Sequence, residues 1–165
     1  MATTTRAKPA AAPHTRYEDD LYTWVGEQVA LLRAGRFDEV DAENVAEELG
    51  DVGKSELRTL ESAIAVLTMH LLKWDFQPRR RSVSWEATIE EQRRQVRKTL
   101  KENPGLKHKL RDAMAEGYAS GRNRAVIETK LPYATFPQDC PFDFEEMMSR
   151  PIVSEPPPRQ RRKKR

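Results

Sequence analysis

Apolar side chains recur at spacings of three and four along the middle of the chain, through Val45, Leu49 and Val52 and then Leu57, Leu60, Ile64, Leu67, Leu71 and Trp74. That spacing places them along one side of a long amphipathic helix. The register slips once, at Gly50 and Gly53. Glycine is costly inside a helix, so the slip predicts a bend between a short acidic arm and a long apolar arm. Upstream, Leu21, Trp24, Val25, Leu31 and Leu32 share the face of a first helix. Gly35 is placed to stop that helix after Ala34, Phe37 to anchor a short turn, and Asp38 or Asp41 to cap the central helix.

Downstream, Pro78 breaks the helical phase, and Ser82 or Ser84 can cap a third helix whose apolar line is Trp85, Ile89, Val96 and Leu100. Asn103-Pro104-Gly105 ends it. A fourth helix is predicted over about residues 106 to 128, where Ala113, Gly117, Gly121 and Ala125 form a strip nearly free of side chains. Two glycines on one line point to close approach of another helix. The segment LPYATFPQDCPFDFEEMM, with three prolines and four aromatics, predicts an ordered strap ending in a short helical turn near Phe144 to Met148. The expected fold is all-α: a compact four-helix-type bundle organised around a long, bent central helix, closed by the strap. Residues 17–149 form a single helical domain, flanked by a disordered arm over residues 1–16 and a disordered basic tail over residues 150–165.

Composition narrows the picture further. The chain has 165 residues and 38% hydrophobic content, enough for one core. No run approaches the ~18 to 20 apolar residues of a spanning helix, and the first sixteen residues lack the apolar stretch of a secretory signal. A soluble, cytoplasmic protein is expected, with no membrane association. The single cysteine, Cys140, can form no internal disulfide. The net charge of +3 conceals a segregation. Residues 17–66 carry four basic and thirteen acidic side chains, whereas residues 67–130 carry fifteen basic and eight acidic. The terminal segments supply the rest of the positive charge.

Three blocks, YEDDLYTWVGEQVALLRAGRFDEVDAENVAEEL, HLLKWDFQPRRRSVSWEATIEEQRR and LPYATFPQDCPFDFEEM, occur in that order. Together they resemble the bacterial domain of unknown function 29, over about residues 17 to 149. The resemblance implies an all-helical fold and a domain extent, and it implies no activity.

Polar residues that fall on apolar faces are the first candidates for a site. Gln28 lands within the apolar arc of the first helix, Glu56 on the central seam between Val52 and Leu60, and Gln92 and Arg93 flank the Trp85, Ile89, Val96 line. A buried Glu56 needs a partner, and Arg93 is best placed by facing, with Gln28 or Gln92 completing its hydrogen bonds. Such a network either fixes helix register or lines a ligand pocket. Glu48, Asp51 and His70 are weak metal candidates, because the Glu-x-x-His pairs of di-metal bundles are missing and His70 reads as a core-edge histidine. No metal, cofactor or hydrolase motif is called.

Between Lys73 and Arg111 twelve basic residues face five acidic ones, interleaved with aromatics. Lys73, Arg79, Arg80, Arg81, Arg94, Arg97 and Lys98 are therefore candidates for a nucleic-acid or partner surface, extended by the RQRRKKR tail. The alternative is a solvated helix face laced with pairs such as Glu90 to Arg94 and Glu91 to Gln95, with Trp74 and Trp85 in the core. The chain reads as a binding module without catalysis, engaging a charged protein partner or a second copy of itself. Nucleic-acid binding is the alternative, and an enzyme or ligand pocket around Glu56 and Arg93 comes third.

Overall fold

A computed structural model describes residues 15–153; the expected N-terminal arm through His14 and the RQRRKKR tail lie outside the described residues. The fold is all-α. Five helices follow one another as α1 (Leu21–Arg33), α2 (Ala42–Phe76), α3 (Val83–Glu102), α4 (Leu110–Thr129) and α5 (Phe144–Ser149), joined by short 3-10 turns. The described residues contain no strand. The chain divides into two compact units, Met1–Gly53 and Lys54–Arg165, and the division falls at the second of the two glycines where the apolar register slips. Helix α2 continues through both glycines without interruption.

In the first unit, Asp20 caps α1 by accepting from the Thr23 amide at 3.1 Å. The helix ends as the sequence predicts. Gly35 adopts φ +69°, and the Arg36 and Gly35 amides donate back to Leu31 and Leu32 carbonyls, satisfying groups the last turn leaves open. Asp41, not Asp38, caps α2, accepting from both the backbone and side-chain nitrogen of Asn44. Only Trp24, Gln28 and Leu31 of α1 are buried. Leu21, Val25 and Leu32, expected inside, are each more than 40% exposed. On α2, Leu49 and Val52 are 68% and 61% exposed, and Phe37 is 70% exposed, so it anchors nothing. The apolar periodicity is real here, but two helices of this length cannot cover so wide an apolar arc.

The second unit holds the core. From Leu60 to Trp74, α2 is buried on nearly every side, with Leu60, Ile64, Leu67, Leu71 and Leu72 each at most 1% exposed. A helix that is apolar around its whole circumference must be enclosed. Helix α3, capped by Ser82 accepting from the Trp85 amide at 3.3 Å, contributes Ile89, Val96 and Leu100, with Trp85 half-buried beside them. A 3-10 run, Pro104–Lys109, replaces the expected first turn of the fourth helix, which begins at Leu110 and ends where Lys130 turns left-handed at φ 60°.

Helix α4 then meets α2 through its small residues. A Cβ on Gly117 would lie 2.6 Å from Ile64 Cγ2, and one on Gly121 would lie 2.6 Å from the Ala65 carbonyl oxygen and 2.9 Å from Thr68 Oγ1. The two backbones are in van der Waals contact there. The strap crosses this unit as expected, burying Phe136, Phe142 and Met147 and stacking Phe136 edge-on to Phe76 at 5.2 Å. The ordered body extends past the expected boundary at Arg150, because Arg150 bonds Asp75 and Ile152 is only 6% exposed.

Four glycines make a paired prediction. Gly117→Ala and Gly121→Ala force atoms onto a neighbouring helix and are expected to destabilise by about 1 to 3 kcal/mol each. Gly50→Ala and Gly53→Ala, whose new Cβ meets nothing within 4 Å in the interior of α2, are expected to stabilise by about 0.5 to 1 kcal/mol each. Denaturant melts of the four variants check this, and a uniform sign across them would contradict the packing of α4 on α2.

Candidate functional site

The predicted Glu56–Arg93 pair does not form. Glu56 is half-buried and accepts a hydrogen bond from Asn103 Nδ2 at 2.9 Å, which ties the C-cap of α3 to α2. Arg93 is buried as expected, at 3% exposure. Its guanidinium, however, donates from Nε to the Met147 carbonyl at 2.9 Å, from Nη2 to the Arg150 carbonyl at 2.8 Å, and from Nη1 to Glu90 Oε1 at 2.7 Å. The facing argument placed Arg93 inside but missed the strap, whose carbonyls take Nε and Nη2 while Glu90, one turn away on the same helix, takes Nη1. Gln92 is half-buried. Gln28 is 4% exposed in the first unit and accepts the Asp41 amide at 2.9 Å, so it fixes the turn before α2. Among the described residues, Gln28, Glu56 and Arg93 each bond partners of their own.

The basic candidates are also mostly engaged. Lys73 is 7% exposed, forms an ion pair with Glu128 and lies 4.5 Å from the centre of the Trp85 ring. Arg81 donates to the Trp74 carbonyl at 2.9 Å and sits 5.1 Å from that ring. Arg94 makes a two-pronged pair with Glu91 at 2.5 and 2.8 Å, which lowers the Glu91 carboxyl below its ordinary value. Glu90 and Glu91 therefore pair with Arg93 and Arg94, three residues on, in place of the expected Glu90 to Arg94 and Glu91 to Gln95 pairs. Lys98 lies 4.0 Å from Glu102. Arg79 and Arg80 are exposed on the short turn Pro78–Arg80, and Arg97 is exposed on α3.

The metal candidates are used otherwise. Glu48 accepts from the Tyr17 hydroxyl at 2.6 Å, and this bond is the main reason that the Tyr17 phenol is pushed up to about 12. Asp51 is exposed. His70 is buried, with Nδ1 2.9 Å from the Val66 carbonyl, so that nitrogen carries the proton and donates. Among the described residues no group of three or more His, Cys, Asp or Glu side chains could hold a metal ion.

Several contacts had no sequence signal because they join segments far apart. Arg122 on α4 donates to the carbonyls of Phe136 and Tyr133 at 2.9 and 3.1 Å and stacks 4.2 Å from the Tyr133 ring. Tyr118 donates to the Pro137 carbonyl at 2.6 Å, and burial is the main cause pushing its phenol up to about 12. Arg150 binds Asp75 at 2.8 and 3.1 Å. A composition of repeated arginines and a proline-rich segment was visible; which arginine meets which carbonyl was not.

Among the described residues of the second unit, a concave feature lies outside this network. Leu100, Phe144 and Met148 line a depression of about 450 Å³, bordered by Arg97, Lys101 and Lys107.

The chain matches the family described as Domain of unknown function DUF29 over residues 16–152. It belongs to that family. Comparisons with curated proteins and with solved structures find no match. No helix is long and apolar enough to cross a membrane among the described residues.

Two predictions separate these roles. Arg93→Met should destabilise by about 2 to 4 kcal/mol, because it strands the Met147 and Arg150 carbonyls, whereas Glu56→Ala releases one partly exposed bond and should cost about 1 kcal/mol or less. Equal losses in chemical denaturation would restore the original pair. The second concerns His70, whose pKa is lowered from 6.5 mainly by burial; Lys73 also lowers it, while the Val66 carbonyl and Glu128 oppose the shift. The folded state therefore takes up this proton less readily than the unfolded chain. Stability is full above pH 6.5 and falls as pH drops through that value toward the lower folded pKa. Denaturation midpoints should fall between neutral pH and pH 5 in the wild type and fall less in His70→Asn; parallel profiles would contradict it.

Proposed function

We propose that this protein is a non-catalytic binding module of the cytoplasm that recognises a basic protein surface through its N-terminal unit. One observation carries the reading: in the acidic unit several apolar side chains stand open together along one helix arc. Residues 15–53 hold three basic and eleven acidic side chains, a net charge of −8, whereas residues 54–153 hold eighteen basic and fourteen acidic, a net charge of +4. On α1 of that unit Leu21, Tyr22, Val25, Val29 and Leu32 are 46, 91, 41, 38 and 41% exposed along one arc. Large exposed apolar faces on a soluble domain mark interaction surfaces, and the surrounding charge selects the partner's sign and speeds encounter. Self-association by apposition of two such units would bring like charges together, so a basic partner is favoured over a second copy.

The nucleic-acid reading has weaker support. Of its seven basic candidates, Lys73, Arg81, Arg94 and Lys98 are engaged with partners inside the protein, which leaves Arg79, Arg80 and Arg97 to meet phosphate. The exposed Lys101 and Lys107 of the same segment and the RQRRKKR tail add to these, but the cations of the body are spread over α3 and two turns, and only the tail forms a dense basic run, which attracts polyanions without specificity.

The double variant Val25→Glu/Leu32→Glu alters exposed positions and is expected to keep the wild-type melting temperature. Affinity capture of the cell's proteins by wild type and variant, compared at low and high salt, is expected to show basic proteins that the variant loses and that salt weakens. Equal recovery by both, or recovery of nucleic acid with a steep salt dependence in its place, would overturn the reading.

A further inference from the structure

We propose that the depression between α3 and α5 binds a small amphiphilic anion, an aliphatic or aromatic body of about ten carbons carrying one anionic head, in keeping with the usual match of ligand to cleft size. The floor is apolar. Leu100, 8% exposed, comes from the last turns of α3, and Phe144 and Met148, one turn apart on α5, are half-buried beside it. The border is cationic. Arg97 and Lys101 lie three residues before and one residue after Leu100 on α3, and Lys107 comes from the 3-10 run Pro104–Lys109.

Like other exposed cations of this unit, Arg79 and Arg80 among them, these three are not held by the fold; what sets them apart is that they border one apolar hollow. The buried and half-buried cations of this unit are claimed, Lys73 by Glu128, Arg93 by Glu90 and Arg150 by Asp75. Among the described residues, Arg97, Lys101 and Lys107 form no ion pair and no side-chain hydrogen bond. Three unclaimed positive charges around one apolar hollow of about 450 Å³ create a field for a negative head and a water-excluding seat for its body.

Size and shape select a free small molecule over larger partners. The hollow lies within the usual range for ligand sites, about 300 to 1,000 Å³, while three floor side chains fall far short of the ~800 Å² per partner that a stable protein interface buries. A membrane surface would need apolar side chains that protrude. Here they are recessed between α3 and α5, with the cations around them.

The test uses the full chain labelled with nitrogen-15 and titrated with decanoate, decyl phosphate, decanol and inorganic phosphate. Decanoate or decyl phosphate is expected to shift the backbone amides of residues 97–101, 107 and 144–148 in a saturable way, and the stronger of the two identifies the head group. Decanol and inorganic phosphate, each lacking one half of the chemistry, are expected to bind at least about tenfold more weakly. Reading individual amides separates this site from diffuse attraction to the RQRRKKR tail. Arg97→Glu/Lys101→Glu is expected to weaken the better ligand at least about tenfold with an unchanged melting temperature. Should that variant fold poorly, Arg97→Gln/Lys101→Gln gives the same reading with a smaller loss. Shifts confined to other residues, binding of inorganic phosphate as tight as that of the amphiphiles, or equal affinity in wild type and variants would overturn the proposal.

Discussion

The approach of α4 to α2 at Gly117 and Gly121 is the constraint on which the second unit depends. Because neither residue has a Cβ, the Ala65 carbonyl and the Ile64 side chain occupy the space where one would be. Such proximity encloses α2 from the α4 side, while α3 and the strap enclose it from the others. Polar groups on α2 must then be satisfied within that envelope. Thr68 bonds back to the Ile64 carbonyl, His70 to that of Val66, and Lys73 reaches Glu128 at the C-terminal end of α4. Among the described residues no buried side-chain nitrogen or oxygen lacks a partner. A packed core with complete polar pairing has one low-energy arrangement, and that is what gives α2 its fixed rotation.

The strap depends on a second device. Proline has no amide hydrogen, so a segment with Pro132, Pro137 and Pro141 has fewer amides than carbonyls, and its own turns, Thr135 to Pro132 and Phe136 to Tyr133 among them, leave acceptor capacity open. Donors are imported from the helices: Arg93 takes the Met147 and Arg150 carbonyls, Arg122 those of Tyr133 and Phe136, and Tyr118 that of Pro137. A guanidinium offers several N–H groups in one plane, which suits it to gathering carbonyls from a turn. This use explains why the charge of Arg93 and Arg122 is not on offer to an external phosphate.

Legibility in the sequence followed the range of the interaction. Helix ends were readable because Gly35, Asp41, Ser82 and the Asn103-Pro104-Gly105 run act on neighbours within a turn. The glycine strip was readable because a four-residue repeat of small side chains has one economical use. Burial on α2 was half readable: Leu60, Ile64, Leu67 and Leu71 fell inside, but the same periodicity extended to Leu49 and Val52, which are exposed. Periodicity reports a helix's own asymmetry and not whether anything covers it. The Glu56–Arg93 pair failed for a related reason. Angular position located each residue's facing, yet Asn103 and the carbonyls of Met147 and Arg150 were nearer partners, 47, 54 and 57 positions away in the chain.

Those same rules decide which surfaces are free to work outward. A cation that holds a carbonyl or a carboxylate has spent its desolvation on the fold, and moving it to an external ligand would break a bond of comparable strength. Arg93, Arg122 and Lys73 are in that position, so their positive charge carries no message about a partner. Arg97, Lys101 and Lys107 stand outside the network, and so do the apolar side chains along α1 in the acidic unit. Neither set is needed to explain why the described helices fold, and each combines an apolar surface with charge of one sign. Water gains on release from the apolar part, while the charge rejects ligands of the wrong sign; a surface with both properties discriminates among partners in a way that neither property alone can.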